Sequence, residues 1–187
     1  MPLPLAEPLT DTLRDFGKPR INRAPSPTLA IALPWLLVML GSLSPVFPIV
    51  SSAALVPPFG FILLVAWQQL RPGLFPVWAG LPLGLFDDLY SGQPFGSAVL
   101  LWSASMIALD LLEVRFPWRG VELNWLAASG IVTLYIVLAA QLADLAGGNS
   151  SLLHMLPQIV LSILVYPIAA RLVGAFDRFR LIPIRKF

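Results

Sequence analysis

The sequence predicts an all-α integral membrane protein with six transmembrane helices in one compact bundle. Hydrophobic residues make up 57% of the 187 residues and charged residues only 12%, whereas soluble domains average roughly 45–50% apolar and about 25% charged residues. Several apolar stretches approach the length of about 20 residues that a helix needs to cross a bilayer. All twelve Lys and Arg residues lie on one side of the six-span arrangement that these stretches define.

Short segments rich in Gly, Pro, Asn or Ser separate the apolar stretches, which is typical of turns. Such short connections place consecutive helices side by side and antiparallel. The first stretch exceeds the roughly 7–15 residues of a signal-peptide core, so we interpret it as a retained span. The predicted spans are Thr28–Pro48, Ala53–Leu70, Leu74–Tyr90, Pro94–Leu112, Leu123–Ala143 and Leu152–Val173. They form a transmembrane domain over residues 28–173, between an N-terminal tail (1–27) and a basic C-terminal tail (174–187).

The positions of the basic residues predict the orientation. They precede the first span, follow the second, fourth and sixth, and are absent from the opposite loops. The positive-inside rule therefore places both termini in the cytoplasm, so the two tails are expected to be cytoplasmic. The basic residues are Arg14, Lys18, Arg20, Arg23, Arg71, Arg115, Arg119, Arg171, Arg178, Arg180, Arg185 and Lys186.

Two further features concern the shape of the bundle and its attachment to the membrane. Prolines within the apolar stretches predict a Pro-kinked bundle, with kinks expected at Pro34, Pro82 and Pro167. The run Asp177–Phe187 mixes Arg and Lys with Phe, Leu and Ile, and it favours either an anchor to anionic headgroups or a simple topology signal. The chain has no cysteine, which excludes disulfides and thiolate metal sites.

The stretch Gly80–Gly96, with the sequence GLPLGLFDDLYSGQPFG, has the least usual pattern of the chain. Its glycines form two pairs with a spacing of four residues, Gly80 with Gly84 and Gly92 with Gly96. Small residues at this spacing create a groove in which a second helix backbone can approach closely. The pattern predicts a tight hairpin between the third and fourth spans.

Two adjacent aspartates lie at the end of the third predicted span. Either both carboxylates simply meet water at the membrane surface, or Asp88, which shares a helix face with Gly84, accepts hydrogen bonds within the hairpin. In the second case its donors are the Ser91–Gly92 turn or the first N–H groups of the next helix. We favour this structural role for Asp88. For Asp87, contact with water at the membrane surface stays an open interpretation.

Signatures of enzymes are absent from the sequence. It has no Gly-x-Ser-x-Gly, His-Glu-x-x-His or phosphate-loop pattern, and adjacent aspartates project from different sides of a helix. We predict no catalytic residue, no cofactor and no metal site, since the one histidine, His154, has no second ligand near it. A small-molecule-binding subunit of a membrane transporter is the alternative function, and a membrane enzyme is a weaker third. Polar residues that could line a binding pocket are Asn124, Thr133, Tyr135, Gln141 and His154.

The run Gly84–Gly96 resembles the MreD family of rod-shape-determining proteins. That family carries a glycine, an aspartate four residues later, a glycine four residues beyond it, and often a Pro or Leu followed by Gly. Phe95 stands where Leu is commoner in the family, and Asp87 and the Pro-rich N-terminal tail are further departures. With Gly80 added, the residues predicted to form a structural and interaction motif are Gly80, Gly84, Asp88, Gly92, Pro94 and Gly96.

The resemblance implies a non-enzymatic scaffold of the bacterial cell-wall elongation machinery, which is also called the elongasome. Members of the family lie in the cytoplasmic (inner) membrane, bind the bitopic protein MreC and connect MreB filaments indirectly to RodA and its penicillin-binding transpeptidase. The expected surroundings are the lipid bilayer and these proteins, with no nucleic acid. The resemblance also implies a fold similar to the S-components of energy-coupling-factor transporters, which is the origin of the transporter alternative.

Overall fold

The computed structural model describes residues 27–46, 56–116, 120–148 and 152–180. All regular secondary structure within these ranges is helical, which confirms the prediction of an all-α protein. Short 3-10 turns follow the first helix and precede the third. The predicted N-terminal tail, apart from Pro27, and residues 181–187 lie outside the described residues. The described α-helices are α1 (Pro27–Ser42), α2 (Phe59–Leu70), α3 (Gly80–Tyr90), α4 (Ser97–Arg115), α5 (Val121–Leu145) and α6 (Leu152–Arg180).

Three of these helices are long and apolar enough to cross a membrane, namely α4, α5 and α6 from Leu153 onwards. Their outer faces carry large apolar side chains, such as Leu100, Leu126 and Leu153, which are 59%, 66% and 74% exposed. Extended apolar surfaces of this kind are rare on soluble monomers. The helices therefore indicate a protein that is embedded in a membrane.

Helix α2 occupies the centre of the bundle. It packs against α1, α4, α5 and α6. The other five helices contact one another in the order α1, α3, α4, α5, α6 and back to α1, and they close a ring around α2. Phe61, Leu64 and Trp67 of α2 are fully buried. The helix has only 12 residues, which is the length typical of a buried core helix rather than of a lipid-facing span.

One of the three prolines at which kinks are expected, Pro82, acts differently from the prediction. Pro34 and Pro167 lie inside α1 and α6, as expected, and Pro157 also lies inside α6. Pro82 instead belongs to the first turn of α3. A backbone N–H in the first turn has no partner within the helix, so a proline at this position removes no helical hydrogen bond.

The C-terminal boundary of the last helix also differs from the prediction. Helix α6 continues to Arg180, about two turns beyond the predicted end at Val173. Asp177 and Arg180 are buried, with exposed fractions of 5% and 6%. These two charged residues therefore belong to the bundle, and the interpretation of the run from Asp177 as a lipid anchor is wrong for them.

Candidate functional site

The hairpin of α3 and α4 is built on direct contact between the two backbones. A Cβ atom added to Gly84 would lie 2.7 Å from the Cα of Val99, and one added to Gly80 would lie 2.8 Å from the Cα of Ser103. Distances below about 3 Å to backbone atoms leave no room for any side chain. The two glycines on one face of α3 therefore allow α4 to pack at the closest possible distance.

The turn of this hairpin depends on the second pair of glycines. Gly92 has φ = +69° and Gly96 has φ = +93°, in the left-handed region that L-residues with a side chain rarely adopt. Between them, the carbonyl of Pro94 accepts a hydrogen bond of 3.0 Å from the backbone N–H of Ser97. This hydrogen bond joins the turn to Ser97, the first residue of α4.

Asp88 caps α4 from the preceding helix. The N-cap residue of α4 is Gly96, which has no side chain to accept the free N–H groups of the first turn. Asp88 Oδ2 accepts from the N–H of Gly96 at 2.8 Å, and Oδ1 accepts from the N–H of Ala98 at 2.9 Å. Longer contacts of 3.4 Å join Oδ2 to the N–H of Val99 and Oδ1 to the hydroxyl of Ser97. A carboxylate at this position also interacts favourably with the helix dipole.

The structure thus brings all six predicted motif residues together in one hairpin. Of the two sets of donors considered for Asp88, it uses the N-terminus of the next helix. Both carboxylate oxygens have donors within the chain and the residue is only 6% exposed, so its hydrogen bonds are internal. A partner protein could donate a hydrogen bond directly to Asp88 only after some of these contacts break.

Asp87 is buried as well, with 7% of its surface exposed. The interpretation that this carboxylate meets water at the membrane surface is therefore wrong. At the same end of the bundle, the polar atoms Ser42 Oγ and Trp102 Nε1 are also buried. A polar interior at this end of the bundle was not predicted from the sequence.

A second charged feature, the Asp177 cluster, joins α1, α2 and α6 at the opposite end. Asp177 accepts from Nη2 of Arg71 at 2.9 Å and from Nη2 of Arg180 at 2.8 Å. Arg180 also donates to the carbonyl of Ala30 at 2.6 Å, and its guanidinium lies 5.3 Å from the ring centroid of Trp67. Sequence reasoning missed this cluster, although the spacing of Asp177 and Arg180 by three residues is the usual one for a helical ion pair.

The polar residues considered for a binding pocket do not converge. Tyr135 is buried and stacks on Phe61 with ring centroids 4.1 Å apart. Asn124 and Thr133 line two different cavities, and His154 is exposed at the start of α6. Within the described ranges, no three His, Asp or Glu side chains are grouped as metal ligands would be.

Comparison with known proteins yields no relative of this chain. It matches no protein-family model, no curated protein and no solved structure. The fold and the hairpin therefore have to be interpreted from their own geometry.

Proposed function

We propose that this chain is a non-enzymatic scaffold of the bacterial cell-wall elongation machinery in the cytoplasmic membrane. In this role it crosses the membrane six times, binds MreC directly, and links MreB to RodA and its transpeptidase for peptidoglycan synthesis. The proposal extends the resemblance of the run Gly84–Gly96 to the MreD family, and it includes the S-component-like arrangement of the helices.

One observation carries the proposal, namely that the four glycines and the aspartate of the hairpin motif each have a structural task that depends on the residue type. Gly80 and Gly84 provide the contact between α3 and α4, Gly92 and Gly96 provide the positive φ angles, and Asp88 caps α4. The motif is therefore consistent with a signature that maintains one particular hairpin, as the resemblance requires.

The internal hydrogen bonds of Asp88 also define how the motif would serve a scaffold. Because both of its oxygens are engaged within the chain, partners would contact surfaces that the hairpin shapes, rather than the carboxylate itself. The broad apolar faces of α4, α5 and α6 are available for packing against the transmembrane helices of other proteins.

The first experiment is purification of the tagged protein from its native membranes in a mild detergent, followed by mass spectrometry of proteins and small molecules. Recovery of MreC together with RodA and its transpeptidase is the expected result. Recovery of a stoichiometric small ligand with an ATPase module, and without MreC, would instead identify a transporter subunit and overturn the scaffold.

A pair of variants connects this result to the hairpin. Asp88→Ala is expected to lower both the recovery of MreC and the fraction of rod-shaped cells, because it releases the start of α4. Glu122→Ala, which removes an exposed carboxylate from the first turn of α5, is the matched control and is expected to change neither. Full recovery and normal cell shape with Asp88→Ala would refute the role of the motif.

A further inference from the structure

A cavity of about 320 Å³ lies between α2, α5 and α6. It is located at the end of the bundle that carries Arg71, Arg115, Arg171, Arg178 and Arg180, here called the basic end. The walls combine polar side chains from all three helices, Gln69, Asn124, Tyr166 and Arg171, with apolar ones. The volume is at the lower end of the range for small-molecule sites, roughly 300–1,000 Å³.

The polar side of this cavity presents one positive charge. Arg171 makes no ion pair or hydrogen bond with any described residue, whereas Arg71 and Arg180 are engaged by Asp177. Asn124 contributes an amide on the facing helix α5, and the hydroxyl of Tyr166 donates to Gln69 Oε1 at 2.8 Å. Because the hydroxyl hydrogen of Tyr166 is used by Gln69, the guanidinium of Arg171 and the amide of Asn124 are the donors suited to the oxygens of a phosphate.

The apolar side of the cavity continues onto the outer surface of the bundle. Leu70, Val121 and Trp125 line the cavity and are 42%, 87% and 43% exposed. Trp125 is oriented by a hydrogen bond of 3.2 Å from its Nε1 to the carbonyl of Ile163, as an amphipathic ring at a membrane interface commonly is. A ligand here would have a charged head beside Arg171 and a hydrocarbon part along these side chains.

We propose that this cavity binds one anionic phospholipid, with its phosphate at Arg171 and Asn124 and the beginning of an acyl chain against Leu70 and Trp125. A water-soluble anion would leave the apolar half of the site without a partner, and a zwitterionic lipid would place a second cation near Arg171. The proposal depends on the chain lying in a membrane and not on the scaffold function, so the two can fail separately.

The test uses the full chain in detergent, supplied with phosphatidylglycerol, phosphatidylcholine or inorganic phosphate. Native mass spectrometry counts the retained lipids, and thermal unfolding measures the stabilisation by each additive. We expect one retained phosphatidylglycerol. Retention in Arg171→Gln is expected to be about fivefold weaker, because one basic residue beside an anionic headgroup strengthens binding by about this factor. Arg178→Gln removes the same charge from an exposed position of the same helix outside the cavity, and it is expected to retain the lipid.

A second variant tests the cavity independently of charge. Ala170→Leu enlarges the side chain at a partly buried position in the wall of the cavity. This variant keeps Arg171 and is expected to displace the lipid. Equal loss in Arg171→Gln and Arg178→Gln would show general attraction to a basic surface and overturn the site. Retention of phosphatidylcholine equal to that of phosphatidylglycerol would overturn it too, as would stabilisation by inorganic phosphate alone to the same extent.

Discussion

At the scale of single residues, Asp87 and Asp88 show how one chemical group takes different roles at adjacent positions. The two side chains leave α3 about 100° apart, so only Asp88 faces α4 together with Gly84. Asp88 therefore has four donors in the chain, while Asp87 is buried and accepts none of these four hydrogen bonds. The two residues have the same carboxyl group and are adjacent in the sequence, so the direction in which each side chain leaves the helix decides which of them caps α4.

Replacing Asp88 with Ala is expected to destabilise the protein by about 2 kcal/mol, because the N–H groups of Gly96 and Ala98 lose their acceptor. Asp88→Asn keeps one acceptor oxygen and is expected to lose about half as much. Thermal unfolding in detergent measures both variants, with Glu122→Ala as the exposed control. Equal stability of Asp88→Ala and the wild type would show that these hydrogen bonds do not hold the hairpin.

At the scale of secondary-structure elements, the contact between α3 and α4 has no tolerance for additional volume. Gly84→Ala is expected to cost roughly 1–3 kcal/mol, because the new methyl group would meet the backbone of Val99 and Ala98. Gly130→Ala is the matched control inside α5, where nothing lies within 4 Å of the added atom, and it is expected to stabilise the helix by up to about 1 kcal/mol.

Opposite signs for these two glycine variants, measured by thermal unfolding in the same detergent, would support the close packing of the hairpin. If Gly84→Ala were as stable as Gly130→Ala, α3 and α4 would have to lie further apart than the structure shows. Purification with partners can then use the same pair, because both variants change a helical glycine by the same single methyl group.

The sequence predicted these elements well where hydropathy and glycine spacing determine them. Each described helix falls on one predicted span, and the hairpin follows from the spacing of Gly84, Asp88 and Gly92. The lengths of α2 and α3 could not be predicted, because hydropathy does not distinguish a core helix from a longer lipid-facing one. The burial of Asp177 and Arg180 was also out of reach, since their partners Arg71 and Ala30 are distant in sequence.

At the scale of the whole molecule, the Asp177 cluster fastens the last helix to the first two. Asp177→Asn is expected to destabilise the bundle by roughly 3 kcal/mol, because Arg180 is buried and would lose its charged partner. Arg71→Gln is expected to cost at most about 1 kcal/mol, since the Arg71 side chain is 51% exposed and its contact is weakened by solvent.

Thermal unfolding and hydrogen exchange in α1 measure the effect of these variants on the bundle. Arg178→Gln, at an exposed position between the two buried residues of α6, is the control and is expected to match the wild type. A loss of stability with Arg71→Gln as large as that with Asp177→Asn would contradict the order of burial on which the prediction depends.

Two basic residues of this cluster, Arg71 and Arg180, are among the twelve that determine the predicted orientation of the molecule in the membrane. Because the chain has no cysteine, single cysteines at exposed positions report each side of the membrane without background. Phe95→Cys and Leu145→Cys replace residues that are 74% and 85% exposed near the ends without basic residues. Both are expected to react with an impermeant maleimide added to intact spheroplasts, because the positive-inside rule places these ends outside the cytoplasm.

Val114→Cys and Val121→Cys are the matched positions on the basic side, with exposed fractions of 83% and 87%. They are expected to react only after the membrane is made permeable. A reversed pattern would invert the orientation and place the proposed lipid site in the outer leaflet. Reaction of Phe95→Cys and Val114→Cys from the same side would mean that α4 does not cross the membrane, although its length and composition allow it to do so.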